Sequence, residues 1–314
     1  MTRRSQVVSE LRSGGDQDLA TFLAESGVEL ADVIRSGRSW TRLRRDAGLP
    51  TRAGSDREAE VLRRIRAFAH IDDVTRRRTY SRLLADDAAD YVDLSVVEQR
   101  LARMLFFLLW PGGGEHGSIE AGFEALQREA AVRDELTAVI DLAFGAASHV
   151  PVSLSEPLRQ VPLQIHGRYQ REEVLAALDY ASLKRKPNSF REGVLYVPEI
   201  DVDAFFVTLQ KSEADYSPTT LYRDYPISPT LFHWESQSTT ALSSATGQRY
   251  LYGSSTKLIF VRQHKSNEYG TSPYLFAGPA TYVQHSGERP IAITWRLEHE
   301  LPNDFFAAAN LAAS

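Results

Sequence analysis

The chain has no cysteine among its 314 residues, which excludes disulfides, thiolate metal sites and cysteine nucleophiles together. It also lacks a long apolar run. The longest, Met104 to Trp110, stops at Pro111, far short of the roughly 18 residues that span a bilayer. The first residues, MTRRSQVVSEL, carry arginines but no apolar stretch, so no secretory leader and no membrane partner is expected, and the cytoplasm is the expected location. Nucleotide cradles are missing too: there is no GxxxxGK[ST], and no GxGxxG follows a strand-like segment. HExxH, paired CxxC and GxSxG are equally absent. No catalytic residue, metal ligand or cofactor is therefore assigned, and binding is favoured over catalysis.

What is present divides into two halves. Residues 1–80 carry 16 basic and 12 acidic side chains, whereas residues 81–160 carry 6 and 13, within a chain of net charge −5. Positive charge near the N-terminus is of the kind that steers phosphates. The first half has helical periodicity. Leu19, Phe22, Leu23, Leu30, Val33 and Ile34 recur at helical spacing between Asp18 and Gly37. Ser39 reads as an N-cap and Gly48 as a stop. Ser55 with Glu58 reads as a capping box opening a helix to Ile71, and Ser95 with Glu98 as another opening the strongest helix, to Trp110. Asp73 and Ser118 read as further caps. Pro151, Pro157 and Pro162 mark a junction, followed by a helix over Gln170–Leu183. Beyond Pro187 the pattern becomes strand-like: GVLYVPEI, DAFFVTLQK, RYLYG, KLIFVRQHK, YLFAGPATYVQHS and IAITWRLEHEL, separated by turn residues. The expected fold class is α+β, with an all-helical module (1–150) before a curved β-sheet or β-barrel (151–314).

Two segments invite a functional reading. GRSWTRLRRDAGL, preceded by a helix, resembles a helix–turn–helix, with Arg38, Arg42, Arg44 and Arg45 turned out to meet DNA phosphates. The alternative is a solvated basic face. Between Tyr216 and Ser238 aromatic rings alternate with small polar groups. Tyr216, Tyr222, Tyr225, Phe232, His233, Trp234 and Gln237 form the mixture that stacks on a nucleobase and bonds to its edge. The alternative there is that some of these rings fill the core. HIDD (His70, Asp72, Asp73) is the best acid–base or metal candidate, yet a helix-terminal His followed by an Asp cap explains it as well.

REGVLYVPE, FFVTLQKSEADYSPTTLYRDYPISPTLFHWESQS, TGQRYL and YLFAGPATYVQHSGERPIAITWRLEHELP resemble the uncharacterised C-terminal domain of bacterial DEAD/DEAH-box helicases that carry a phospholipase-D-like nuclease module. The likeness covers most of residues 160–305. GRSWTRLRRDAGL, HIDD and RMLFFLLW resemble the helical region upstream of that domain. The helicase and nuclease motifs are absent, so ATPase and cleavage activities do not carry over. The strand order ending in ITWRLEHELP resembles PUA/SRA-like barrels, some of which hold modified bases. The resemblance implies a DNA-recognition module of a restriction or antiviral defence system, with a helicase or nuclease as partner. A protein–protein module docking on a helicase or nuclease, or a metal-dependent nuclease or other hydrolase built on His70, Asp72 and Asp73 or on the region of His299, are the alternatives.

Overall fold

The computed structural model describes residues 3–210 and 224–311. Its first half is helical: Arg3–Gly14 (α1), Leu19–Ser26 (α2), Leu30–Ile34 (α3), Trp40–Ala47 (α4), Glu58–Leu62 (α5), Val74–Leu84 (α6), Val96–Leu109 (α7), Ile119–Gln127 (α8) and Ala130–Gly145 (α9). Side-chain oxygens satisfy the orphan N–H groups where the sequence places caps. Ser39 accepts from the Arg42 N–H, Asp73 from Arg76 and Ser118 from Ala121, while Ser95 and Glu98 form a complete capping box. Gly27 and Gly48, both left-handed, close α2 and α4. Helix α7 is central, with every side chain from Met104 to Leu109 buried. Each such Leu or Phe gains roughly 1.5–3 kcal/mol on leaving water.

Two helices differ from expectation for identifiable reasons. The Ser55–Glu58 box does not form, because the Ser55 N–H and hydroxyl both donate to Glu129 while Glu58 pairs with Arg45. The segment becomes α5 and a short 3-10 turn, Ile65–Phe68. The helix after the junction is only Arg171–Ala177 (α10), and the chain turns at Asp179, whose φ is +56°.

The remaining strands are Val152–Ser153 (β1), Gln164–Ile165 (β2), Arg168–Tyr169 (β3), Val194–Val197 (β4), Val202–Thr208 (β5), Tyr225–Ser228 (β6), Leu231–Glu235 (β7), Thr256–Arg262 (β8), Ser266–Asn267 (β9), Gly270–Thr271 (β10), Tyr274–Ser286 (β11) and Ala292–Leu297 (β12). RYLYG, expected as a strand, is instead the end of the helix Ala245–Tyr252 (α11), which Ser244 caps by accepting from the Gly247 N–H; it precedes β8, and Asn303–Leu311 (α12) ends the described chain. The main sheet runs β4-β5-β8-β11-β12-β7-β6, with β3 added beside β11. β5 and β8 are parallel, in register Phe206 to Phe260, and the other pairs are antiparallel. Bulges at Phe276/Gly278 and Tyr282/Gln284 interrupt the long β11. The sheet nevertheless stays open, with β4 and β6 as its two edges. Of the two expected forms, a curved sheet or a barrel, the barrel is corrected, and the α+β class with helices first and sheet second stands.

The reason lies in β5 and β8, whose apolar runs are buried on both faces. Val202, Ala204, Phe206, Leu258 and Phe260 join one apolar cluster, and Phe205, Val207, Ile259 and Val261 join the other. The first cluster is continuous with the helical half, extending back to Val7 across the 150/151 junction. The second is closed by Trp295, Ile293 and, from α11, Tyr250 and Leu251. Among the described residues no helix is long and apolar enough to cross a membrane.

Candidate functional site

The arginines of the α4 segment are held by the chain itself. Arg38 donates to the Asp32 carbonyl at 2.8 Å, and Arg42 to the carbonyls of Gly37 and Ala59. Arg44 binds the Gln17 and Pro50 carbonyls and the Asp16 carboxylate. Arg45 forks onto Glu58 and also reaches Thr51 and the Arg52 carbonyl. These guanidinium groups hold the loops around α4 through hydrogen bonds within the chain. Helix α4 is also anchored by the buried Glu135, whose two oxygens accept from the N–H groups of Trp40 (2.6 Å) and Thr41 (2.9 Å). Burial pushes the Glu135 carboxyl up to about 7 against the pull of those hydrogen bonds.

The aromatic band separates onto two faces. Phe232 and Trp234 turn into the second core, where the Trp234 ring lies 4.9 Å edge-on to Phe205. They present no open stacking surface, because alternate residues of β7 point inward. Tyr225 and His233 lie on the opposite face, their rings stacked 4.7 Å apart. Gln237 stands away from that pair and donates to Glu192 at 3.5 Å. Tyr216 and Tyr222 fall outside the described residues.

HIDD meets residues a hundred positions downstream. The fully buried Arg76 bridges three carboxylates: Asp72 at 2.9 Å, Glu173 at 2.9 Å, and Asp73. Its guanidinium also lies 4.0 Å from the centre of the Tyr169 ring. His70 Nε2 is 2.6 Å from the second oxygen of Glu173, which also accepts the Gln170 N–H at 2.8 Å. Asp72 accepts the Arg168 N–H at 3.0 Å. Burial holds the Asp72 carboxyl above its ordinary value despite Arg76. Glu173 is buried more deeply still, but His70 and Arg76 outweigh that and hold it below. Arg76 stays charged, because Asp73, Glu173 and Asp72 more than offset its burial. The cluster welds the start of α6 to β3 and α10. Among the described residues, no three His, Asp or Glu side chains are placed to hold a metal ion.

This weld forms one wall of an open cleft of about 670 Å³ between the helical half and the sheet. Arg66, Arg168 and Arg262 line it, with His70, His264 and the amides of Gln170, Gln263 and Asn267. Among the described residues Asp72 is the one carboxylate of the lining, against three arginines, in a chain whose net charge is −5. Each arginine is positioned differently. Arg262, at the end of β8, donates to Thr208 and to the Ser272 carbonyl, each at 3.0 Å, and lies 4.3 Å from the Tyr274 ring centre. Arg168 keeps a loose 3.7 Å contact with Asp72. Arg66 passes under the β9–β10 hairpin, where a Cβ on Gly270 (φ +116°) would stand 3.4 Å from its guanidinium carbon. Gly270 thus supplies both the backbone angle and the room. The Gln170 side chain donates to the Thr271 carbonyl at 2.9 Å and fixes the hairpin to the weld. A larger groove of about 950 Å³ lies between α2, α6 and α9, but its Arg52 and Arg133 are paired to Asp86 and Asp134 and it is flanked by further aspartates. It offers nothing to an anion.

Sequence reasoning missed the cleft, since its arginines lie about a hundred residues apart. One signal was present: Arg262 directly follows the apolar run Leu258–Val261, and a charge buried there needs a partner or a ligand. No curated protein and no solved structure matches the chain. Residues 163–309, from just before β2 into α12 and therefore including the cleft's Arg168 and Arg262, match the model of a family described as a domain of unknown function (DUF3427).

Proposed function

We propose that this chain is a non-enzymatic DNA-recognition module whose binding site is the arginine-lined cleft between helices and sheet. One observation carries the reading: Arg66, Arg168 and Arg262 line a cavity with, among the described residues, a single carboxylate, in a chain of net charge −5. Arg66 and Arg168 supply charge to a phosphate backbone. Gln170, Gln263 and Asn267 supply donors and acceptors that suit base edges, and Tyr269 supplies a flat ring. A cleft of about 670 Å³ holds a nucleotide or two, so the strand enters locally unpaired or with one base extruded. The Tyr225–His233 stack is a second, more peripheral platform for a base.

The resemblance of residues 160–305 to helicase C-terminal domains supports a place beside a helicase or nuclease in a restriction-type or antiviral defence system, with a modified base as the feature read. Filter binding to plain, methylated, hydroxymethylated and phosphorothioated duplexes, and to single strands, tests this at fixed salt. The reading expects single-stranded or base-extruding substrates to bind best. Equal, negligible retention of every probe would overturn it.

A further inference from the structure

We propose that the notch between α8 and the 3-10 turn at Tyr91–Asp93 is a docking site for a basic segment of a partner protein, with an arginine side chain as its anchor. The site is distinct from the cleft. Its wall is aromatic, with Tyr91 and Phe123 stacked at 6.3 Å and 15°. Leu83 and the exposed Val92 extend the apolar surface, and the cavity of about 290 Å³ is the size of one or two side chains. The Gln127 amide donates to the Leu83 carbonyl at 3.2 Å and closes the floor. Arg103 reaches the Tyr91 hydroxyl at 3.1 Å but is itself claimed by Asp179.

Three carboxylates stand around this wall: Asp90, Glu120 and Glu124. Among the described residues none of their side chains has a hydrogen-bond or ion-pair partner, and the cavity is lined by no basic residue. Glu120 and Glu124 are spaced i, i+4 on α8, so their charges repel across one turn. Arginines compensate acids at other places in the chain, as at Arg76, Arg133 and Arg100. Here the repulsion is left for an outside cation to relieve. An aromatic wall with carboxylates at its rim matches a guanidinium, which lies flat on rings and forks onto carboxylates. The surrounding charge agrees, since residues 81–160 carry 13 acidic and 6 basic side chains. The partner's segment is therefore basic, with apolar neighbours to cover Val92.

The test is fluorescence anisotropy with a labelled dodecapeptide of alternating leucine and arginine, beside the same peptide carrying citrulline, which keeps the shape and removes the charge. The wild-type chain is expected to bind the arginine peptide at least about tenfold more tightly than the citrulline one. The triple variant D90N/E120Q/E124Q is expected to lose about tenfold, and F123L about three- to tenfold through loss of the ring face. A control, E25Q/E199Q/E288Q, removes three exposed carboxylates elsewhere and is expected to bind as wild type. The proposal is overturned if the wild-type chain does not bind the arginine peptide, if both peptides bind equally, or if the control loses as much as the notch variant. Circular dichroism confirms that the conservative Asn and Gln variants keep the fold.

Discussion

Replacing Arg76 by Met removes the one guanidinium that serves three buried carboxylates. Arg76 is fully buried, and Asp73 and Glu173 are 1% and 0% exposed in their side chains, so water cannot take over its role. Breaking a buried pair from one side costs about 3–5 kcal/mol, because the partner charges are left uncompensated. At roughly 2.1 cal/mol/K per residue, each kcal/mol lowers the melting temperature of a chain this long by about 1.5 °C. The expected loss is therefore about 5–8 °C, or an equivalent fall in urea midpoint at unchanged slope. The effect also has a pH signature. In the native chain Glu173 lies below its ordinary value, so it contributes stability above the unfolded value that is lost as pH falls through its folded one. Without Arg76 the Glu173 carboxyl keeps His70 but loses its second counter-charge and rises, and Asp72, already above its ordinary value, rises further. Protonation then relieves the strain, and the difference between variant and wild type shrinks as pH falls from 7.5 to 5. Urea titrations at those two pH values measure both quantities. A loss below about 1 kcal/mol, or a difference that grows on acidification, would refute the idea that Arg76 is the counter-ion holding the halves together.

Three further outcomes follow from the same geometry. Glu135 has a folded value of about 7, raised by burial, so the stability of its protonated form is present below its unfolded value and lost as pH rises towards 7. E135Q should flatten that slope in urea melts between roughly pH 4.5 and 7. R44A should lower stability by about 1–3 kcal/mol, since three acceptors lose a charged donor, and leave DNA affinity in filter binding unchanged. Trp234→Ala should cost about 3–5 kcal/mol as a core cavity while leaving any preference among DNA probes as it was.

Local chemistry carried most of the helical half. Ser39, Asp73, Ser95 with Glu98, and Ser118 cap helices where short-range pattern places them, because a cap needs only its own next three residues. Ser55 and Glu58 carry the same pattern and fail, because Glu129 and Arg45 compete for them from other elements. The strands of β5 and β8 were legible as strands, but two-sided burial was the clue to an open parallel pair rather than a barrel wall. The candidate site was not legible. Arg66, Arg168 and Arg262 share no periodicity, and the link of His70 to Glu173 spans 103 residues. Conversely, the arginine run at 38–45 and the rings of β7 stood out in sequence because they are dense. In the fold their density serves packing: the guanidiniums stitch loops, and alternate rings fill the second cluster.

The claim that the cleft grips a phosphate backbone is tested most directly by the salt dependence of single-stranded DNA binding for the wild type and the R66A/R168A pair. Neither side chain carries the core, so the fold should hold. The double variant should bind all sequences more weakly, with the log–log salt slope reduced by about 1.4, two contacts at roughly 0.7 each. An unchanged slope and affinity would contradict the account.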